Sequence, residues 1–307
     1  MGARAPLRIA IVGWCQVASL AVAIEHFLPE AEVKAWHVGV HPPESEEQIA
    51  AQLPDYDLVI SQIDDDEGAG VLALSHLRET IPKLVFLPLL VFRGFQPDCI
   101  YLHSPRRGMV KGYLGDMHSA IIAGSYVLGL PEHRVPALFN SLTFATLGHF
   151  QAFAAAREHL LERFHNHGFD LSSRIEAWQS QYGAFMYLPL HPKLGVMREL
   201  ARIILRDWGL DGPNFDVPIA REDPLAYSAQ WPTYPDLARR LKVPGSMTFV
   251  RPIYGLEAGA AREIALHQLV EHSYRIYREI PIDELRETVP ADSIAQLDRL
   301  LGSGARS

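Results

Sequence analysis

Apolar residues form short continuous runs in the first hundred residues, and helical patterns or polar loops separate these runs. Such runs are typical of strands that are buried on both faces of a parallel sheet. The predicted strands are Arg8 to Val12, Glu32 to Val40, Leu58 to Ser61 and Leu84 to Pro88. Because strands that alternate with helices form parallel sheets, the pattern predicts a doubly wound α/β domain.

From Asp116 onward, the apolar positions follow helical spacing instead. Asp211 to Pro252 interrupts them with a stretch rich in Pro and aromatic residues, which predicts a loop. The predicted helices are Val17 to Phe27 in the first part and then Ser119 to Leu128, Pro136 to Phe144, Gln151 to His165, Leu171 to Gln181, Leu194 to Trp208 and Ala260 to Arg278. We therefore expect a sheet domain over residues 1–130 and a mainly helical region over residues 131–307.

One cysteine occupies a position that favours chemistry. The residues that follow parallel strands gather at one edge of the sheet, where α/β proteins bind ligands. Cys15 follows the first strand in the turn Gly13 to Gln16, and Ser61 and Gln62 follow the third. A thiol at a helix start faces open amides that stabilise anions. The alternative interpretation is that Cys15 only fills space in the apolar core, because free cysteines are often buried.

Two histidines are candidates for proton transfer. Asp116 precedes His118 by two residues and could orient its imidazole, whose neutral form accepts a proton. Asp116 could instead cap the helix that follows. His191 stands before Pro192 at the entry to a predicted helix, where its neighbours fix the backbone on both sides.

Five short motifs occur in a familiar order. They are Gly13-Trp14-Cys15-Gln16, Ser61-Gln62, Gly94-Phe95-Gln96-Pro97-Asp98, Gly115-Asp116-Met117-His118-Ser119 and His191-Pro192. Over about residues 7 to 205, this order resembles the WcbI-type family of capsular polysaccharide biosynthesis acetyltransferases. The chain departs from the family pattern at Trp14, Gln96, Met117 and Leu190, and these departures concern substrate fit more than reaction type.

The resemblance implies an enzyme that binds coenzyme A and transfers an acetyl group from acetyl-CoA to a hydroxyl of a capsule sugar or polysaccharide. Its first block is similar to SGNH-type hydrolases, with Cys15 in place of the expected serine. In one mechanism, His118, steered by Asp116, deprotonates Cys15, which then carries the acetyl group. In the other, His118 or His191 activates the sugar hydroxyl for direct attack on acetyl-CoA.

Either mechanism needs donors for a developing oxyanion and cations for the phosphates of coenzyme A. The expected oxyanion donors are the Cys15 amide and the side chain of Gln16 or Gln62, with Gly13 and Ser61 beside them. The candidate phosphate contacts lie on a cationic loop that could also be merely solvated; they are Arg93, Arg106, Arg107 and Lys111.

Composition narrows the classes of partner. With a net charge of −8 over 307 residues, the chain offers no broad cationic surface, so we expect no nucleic-acid partner. Two cysteines are too few for a disulfide framework, and neither they nor the histidines follow metal-site spacing, so we expect no metal. Asp64-Asp65-Asp66-Glu67 is predicted as a solvated acidic loop.

The location and two rival functions complete the prediction. Leu84 to Phe92 is apolar but shorter than the ~20 residues of a membrane span, and the start of the chain lacks the pattern of a secretion signal. We predict a cytoplasmic protein that could associate peripherally with capsule assembly machinery. The rival functions are a non-catalytic CoA- or nucleotide-binding partner of capsule assembly, and an SGNH-like carbohydrate esterase that releases acetate without coenzyme A.

Overall fold

A computed structural model describes residues 5–40, 44–65, 70–257 and 259–304, except for the side chains of residues 303 and 304. Its main sheet contains β1 (Arg8–Gly13), β2 (Glu32–His37), β3 (Leu58–Ser61) and β4 (Leu84–Phe86). The strands follow the order β2-β1-β3-β4, and all three pairings are parallel. The predicted parallel sheet is confirmed, and the doubly wound, SGNH-like arrangement stays a prediction.

Local backbone chemistry sets the ends of these strands. β2 stops three residues before the predicted end at Val40, because Gly39 adopts a left-handed conformation with φ of 85° that no strand accommodates. β4 stops at Phe86, two residues before Pro88, which lacks the N–H that a sheet ladder needs. The strands therefore end at His37 and Phe86.

Twelve α-helices and eight further short strands lie in the described residues. The helices are α1 (Val17–Phe27), α2 (Glu46–Gln52), α3 (Leu74–Thr80), α4 (Ala120–Val127), α5 (Ser141–Thr146), α6 (Ala152–His165), α7 (Arg174–Tyr182), α8 (Leu194–Asp207), α9 (Pro235–Leu241), α10 (Leu266–Tyr277), α11 (Ile282–Thr288) and α12 (Ala291–Gly304). The strands are β5 (Cys99–Tyr101), β6 (His103–Ser104), β7 (Gly108–Met109), β8 (Met117–Ser119), β9 (Met186–Leu188), β10 (His191–Pro192), β11 (Thr248–Val250) and β12 (Glu263–Ala265).

Three predictions of secondary structure need correction. The segment predicted as a helix from Pro136 to Phe144 is a 3-10 helix, Glu132–Leu138, followed by α5, which begins after the cap Asn140. The predicted helix from Ala260 begins only at α10, because Glu263–Ala265 pairs with β11. The predicted loop from Asp211 contains both α9 and β11. Short elements like these carry too few periodic positions to stand out in a sequence.

The chain divides into two compact units that interleave along the sequence. Unit 1 comprises Met1–Val91, Leu160–Trp178 and Leu190–Ala226, and unit 2 comprises Phe92–His159, Gln179–Pro189 and Tyr227–Ser307. This division differs from the single boundary that we predicted near residue 130. The reason is that α8, which lies late in the sequence, returns to pack against α1 in unit 1.

The core of unit 1 forms around the sheet and these two helices. Ile9 to Val12 of β1 are fully buried, and α1 buries Leu20, Ile24 and Phe27. α8 places its apolar residues on one face and its arginines on the other, the pattern of a helix that packs on a core. Truncating one such buried side chain to alanine costs about 2 to 5 kcal/mol of folding free energy.

Unit 2 combines short antiparallel pairs with helices. β5 pairs with β8 and β6 pairs with β7, while α4 packs against α10, α11 and α12. Ser119 caps α4 by accepting a hydrogen bond from the Ile122 amide at 3.1 Å. The helix cap is therefore Ser119 and not Asp116.

Within the described part of the chain, every helix is too short or too polar to cross a membrane.

Candidate active site

The strand order of unit 1 contains a topological switch point, the place where open α/β sheets bind ligands. β2 lies on one side of β1, and β3 and β4 lie on the other. The connections that leave the carboxyl ends of β1 and β3 therefore run in opposite directions. Cys15 follows β1, and Gln62 follows β3, so both residues belong to this edge of the sheet, as predicted.

Glycine at position 13 permits the close approach of these two strand ends. A Cβ on Gly13 would lie 2.7 Å from the Cβ of Gln62 and 3.1 Å from its Cγ. Close-packed interiors do not accommodate such an overlap without a shift of the backbone. Gly13 is therefore a packing requirement of the edge.

The Cys15 thiol is partly exposed and points at a backbone carbonyl. Its Sγ lies 3.7 Å from the carbonyl oxygen of Leu190, to which the thiol donates. Burial raises the pKa of the thiol to about 11, an effect that the Cys15 backbone N–H only partly offsets. At neutral pH, Cys15 is therefore a thiol and not a thiolate.

Gln16 fastens the turn to two distant segments. Its Nε2 donates to the carbonyl oxygens of Leu90 at 2.8 Å and Leu190 at 2.9 Å. Its Oε1 accepts from the Leu90 amide at 3.2 Å and from Gln62 Nε2 at 3.3 Å. Both amide hydrogens are therefore engaged, so the Gln16 side chain positions the turn and has no hydrogen left for the oxyanion role that we predicted for it.

Ser61 and Gln62 are both fully buried. The Ser61 hydroxyl oxygen accepts from the Ile63 amide at 3.2 Å, which stabilises the turn after β3. Gln62 donates one hydrogen bond to Gln16, and its buried Oε1 has no hydrogen-bond partner among the residues that the structure describes. Gln62 therefore keeps hydrogen-bonding capacity that the fold does not use.

His191 follows the carbonyl that contacts Cys15. Leu190 accepts hydrogen bonds from both the Cys15 thiol and Gln16, so the position of the next residue is fixed relative to the turn. Burial, and to a smaller extent the neighbouring His37, lower the pKa of His191 to about 4. His191 is therefore a neutral imidazole over the physiological range of pH, the form that accepts a proton.

His37 belongs to the same edge and is missing from our predictions. It is the last residue of β2, and it pairs in register with Gly13 of β1. Burial lowers its pKa as well. The rule that residues at the carboxyl ends of parallel strands meet would have found His37, had the strand not been predicted to continue to Val40.

His118, in unit 2, has a different environment. Only 2% of its surface is exposed, and both of its ring nitrogens are engaged, at 2.9 Å from the Tyr277 hydroxyl and at 2.9 Å from the Val110 carbonyl oxygen. A carbonyl only accepts, so Nε2 carries the proton and Nδ1 accepts from Tyr277. Burial lowers the pKa of His118. A locked neutral ring of this kind stabilises the fold.

Asp116 does not orient His118 as predicted. Its Oδ1 lies 2.5 Å from Nζ of Lys111 in an exposed ion pair, whereas both nitrogens of His118 have other partners. A fully buried carboxylate of unit 2 is Asp98. It accepts from the Ile121 amide at 2.9 Å and from the Tyr234 hydroxyl at 2.7 Å. Asp98 therefore holds the start of α4.

The four basic residues predicted to contact phosphates differ in their availability. Lys111 pairs with Asp116, and Arg107 lies 3.4 Å from the buried carboxylate of Glu284. Arg93 and Arg106 are exposed, and neither forms an ion pair within the described ranges. These two guanidinium groups are the ones free to meet an anion.

Among the described residues, no group of three or more His, Cys, Asp and Glu side chains is placed to hold a metal ion. Of the predicted acidic loop, Asp64 and Asp65 are described, and Asp66 and Glu67 lie outside the described residues.

Comparison with known proteins assigns the family. Residues 8–213, about two thirds of the chain, match the family described as polysaccharide biosynthesis enzyme WcbI. The chain therefore belongs to the WcbI family of polysaccharide biosynthesis enzymes. No curated protein matches the chain.

A solved structure shares the fold. The chain has a TM-score of 0.73 and 16% identity with a structure described as WcbI, a novel polysaccharide biosynthesis enzyme, with 98% of each chain covered. That structure is described as the native protein without a disulfide bond between coenzyme A and one of its cysteines. The two proteins share a mixed α/β architecture. Because the likeness covers 98% of each chain, the shared fold includes residues outside the segment 8–213 that matches the family.

Proposed function

We propose that this protein transfers an acetyl group from acetyl-CoA to a hydroxyl of a sugar in capsular polysaccharide biosynthesis. The observation that carries the proposal is the edge of unit 1. There the partly exposed Cys15 thiol and Gln16 both donate to the Leu190 carbonyl, and the next residue, His191, carries a neutral imidazole. Acyl transfer from a thioester needs a proton acceptor and a preorganised site, and this edge offers both.

The description of the related structure supports coenzyme A as the donor. It names a disulfide bond between coenzyme A and a cysteine as a bond that this native form lacks. A disulfide requires sulfur atoms about 2.0 Å apart, so such a cysteine can meet the thiol end of the cofactor. In this chain the counterpart is Cys15, because Cys99 is fully buried. The thioester carbonyl of acetyl-CoA would then lie beside the turn after β1.

His191 is the proposed proton acceptor in either mechanism, in place of His118. In the direct mechanism, the sugar oxygen attacks the acetyl carbon while its proton passes to His191. The C–S bond then breaks, and the departing CoA thiolate takes the proton back. In the acetyl-enzyme mechanism, Cys15 Sγ attacks the acetyl carbon while its proton passes to His191, and the C–S bond to CoA breaks as the CoA thiolate takes that proton. The sugar oxygen then attacks the same carbon and gives its proton to His191, and Cys15 leaves as the thiol with that proton. Because Cys15 is protonated at rest, it must lose its proton during the attack.

The oxyanion has two proposed donors. The Cys15 backbone amide lies at the start of α1, and Gln62 Nε2 has a second hydrogen besides the one that it donates to Gln16. Removing one donor of this kind raises a reaction barrier by about 3 kcal/mol. We propose Arg93 and Arg106 for the phosphates of coenzyme A, since Lys111 and Arg107 already have carboxylate partners.

Calorimetric titration of the full chain with CoA and with acetyl-CoA tests the donor. We expect saturable binding of both, weakened in Arg93→Gln and retained in the control Lys83→Gln, whose charge lies on an exposed surface pair with Asp57. Absence of binding would overturn the transferase assignment. Release of free acetate from an O-acetyl sugar without coenzyme A would assign an esterase instead.

A rapid quench with acetyl-CoA labelled in the acetyl group distinguishes the two mechanisms. Label that resists denaturation in the wild type but not in Cys15→Ala shows an acetyl-enzyme. Transfer of label to the sugar by Cys15→Ala, with no protein-bound label at any time, shows direct attack.

A further inference from the structure

Unit 1 contains a cavity of about 270 Å³ at the far end of α8, which we call the α8-end cavity. α8 begins just after His191, beside the candidate active site, and runs for 14 residues, or about 20 Å, to Asp207. The cavity is therefore separate from the Cys15 edge. Its lining includes residues of β4 together with Arg78, His167, Phe169, Asp207 and Trp208.

One wall of the cavity is the open edge of the main sheet. β4 is the last strand of the sheet and pairs with β3 alone. The Val59 amide donates to Lys83 and the Leu87 amide donates to Ser61, so alternate residues of this segment face β3. The amides and carbonyls of Leu84 and Phe86 therefore point outward. They present donors and acceptors to whatever occupies the cavity.

Three polar side chains add to this wall. Arg78 supplies donors, Asp207 supplies acceptors, and His167 supplies one of each, because burial lowers its pKa and keeps the ring neutral. Neither Arg78 nor Asp207 forms an ion pair within the part of the chain that the structure describes. One guanidinium and one carboxylate balance in charge, so the cavity does not favour an ion of either sign.

Aromatic rings form a further part of the lining. Phe86 contacts the ring of His167 with centroids 4.5 Å apart, and Phe169 and the half-buried Trp208 lie on the same cavity. Aromatic faces pack well against flat C–H surfaces, and the indole N–H of tryptophan adds a donor. The volume lies just below the ~300 to 1,000 Å³ typical of ligand pockets, so one ring fits better than a nucleotide.

We propose that the α8-end cavity binds one pyranose unit of the polysaccharide. A sugar ring presents C–H faces for Trp208 and Phe169, and its hydroxyls both donate and accept, which matches the mixture of Arg78, Asp207 and open backbone groups. The proposal goes beyond acetyl transfer. It rests on the membership of a polysaccharide biosynthesis family and stands even if coenzyme A is not the donor.

A neighbouring cavity extends the same surface. It has a volume of about 320 Å³ and shares Gly168, Phe169 and Asp207 with the first. Its further lining includes Asp170 and the three arginines Arg174, Arg202 and Arg206. A polymer that enters the α8-end cavity could therefore continue over a polar surface. The next sugar units of the glycan would then lie in the second cavity.

Saturation-transfer NMR on the full-length protein tests the proposal. The probes are the methyl pyranosides of glucose, galactose, mannose, N-acetylglucosamine, rhamnose and glucuronic acid, each at about 20 mM, well above the ~1 mM dissociation constant of a weak ligand. We expect saturation transfer to at least one probe. Because each lost hydrogen bond to a charged group weakens binding about tenfold, Asp207→Asn and Arg78→Gln should each reduce the signal strongly.

The control Asp216→Asn makes the same change of charge on an exposed residue of unit 1 that does not line the cavity. It should bind as the wild type does. Both cavity side chains are exposed enough for the variants to fold, and circular dichroism verifies this. The proposal is overturned if no probe receives saturation, or if the signal survives unchanged in both cavity variants.

Discussion

The two histidines that the sequence offered as bases occupy contrasting environments. His191, in unit 1, follows the carbonyl that holds the Cys15 thiol, whereas His118, in unit 2, is enclosed with both nitrogens bonded. Both rings are neutral, because burial lowers the pKa of each. The difference teaches that a lowered pKa does not by itself identify a base. What separates the two rings is their place in the fold: His191 directly follows the residue that contacts the Cys15 thiol, whereas His118 lies in unit 2 between Tyr277 and Val110.

Replacing His191 should have the largest effect on activity. In His191→Gln, the proton acceptor is lost, and we expect kcat/KM for acetyl transfer to fall by about 100-fold or more. The measurement is a transfer assay with labelled acetyl-CoA. The control is His76→Gln, an exposed histidine on α3, which should retain full activity. Wild-type rates in His191→Gln would remove this residue from the mechanism.

Replacing His118 should act on stability instead. In His118→Phe, the Tyr277 hydroxyl and the Val110 carbonyl lose their partner in a buried site, which costs about 2 to 4 kcal/mol of the free energy of unfolding. The ring is tightly packed as well, since a Cβ on Gly112 would lie 2.9 Å from its Cε1. Urea unfolding measures the loss.

Tyr277→Phe provides the matched control for His118. It removes one of the two hydrogen bonds and keeps the packing, so we expect about half of the loss.

Folded His118→Phe should transfer acetyl groups within about threefold of the wild type, a change below the smallest ~100-fold effect expected of a base. A hundredfold loss of activity with unchanged stability would reverse the roles given to the two histidines.

The sequence predicts the segment around Cys15 better than it predicts the environment of His118. β1, the turn and α1 follow from a continuous apolar run, a glycine and a helical pattern, all within residues 7–27, and the structure confirms them. The state of His118 depends on Tyr277, 159 residues away, and the clamp of Gln16 depends on Leu190, 174 residues away. Local patterns contain no information about such partners. Asp98 is a further case, because its partner Tyr234 lies 136 residues away.

A smaller effect tests the close packing at the Cys15 edge. In Gly13→Ala, the added Cβ meets Gln62, so we expect a loss of about 1 to 3 kcal/mol in the free energy of unfolding. Transfer activity should fall with it, because the shift displaces the Cys15 amide. Gly302→Ala is the control, since a Cβ there meets nothing within 4 Å. Equal stability in the two variants would show that the edge is loosely packed, which would weaken the contrast with the enclosed His118.

The pH dependence of stability gives the smallest effect and applies to both rings. Unfolded histidine takes up a proton near pH 6.5, whereas His118 and His191 resist protonation in the folded state. The unfolded chain then binds more protons, so the free energy of unfolding falls as the pH drops below about 6.5, by at most about 1.4 kcal/mol per pH unit for each ring. For His191 the fall ends near its folded pKa of about 4.

Chemical denaturation at pH 7, 6 and 5 of the wild type, His118→Gln and His191→Gln measures the slopes, and the remaining histidines contribute equally to all three proteins. Each variant should give a shallower slope than the wild type. An unchanged slope in either one would mean that its ring titrates alike in the folded and unfolded chain, and the enclosure argued for that ring would be wrong.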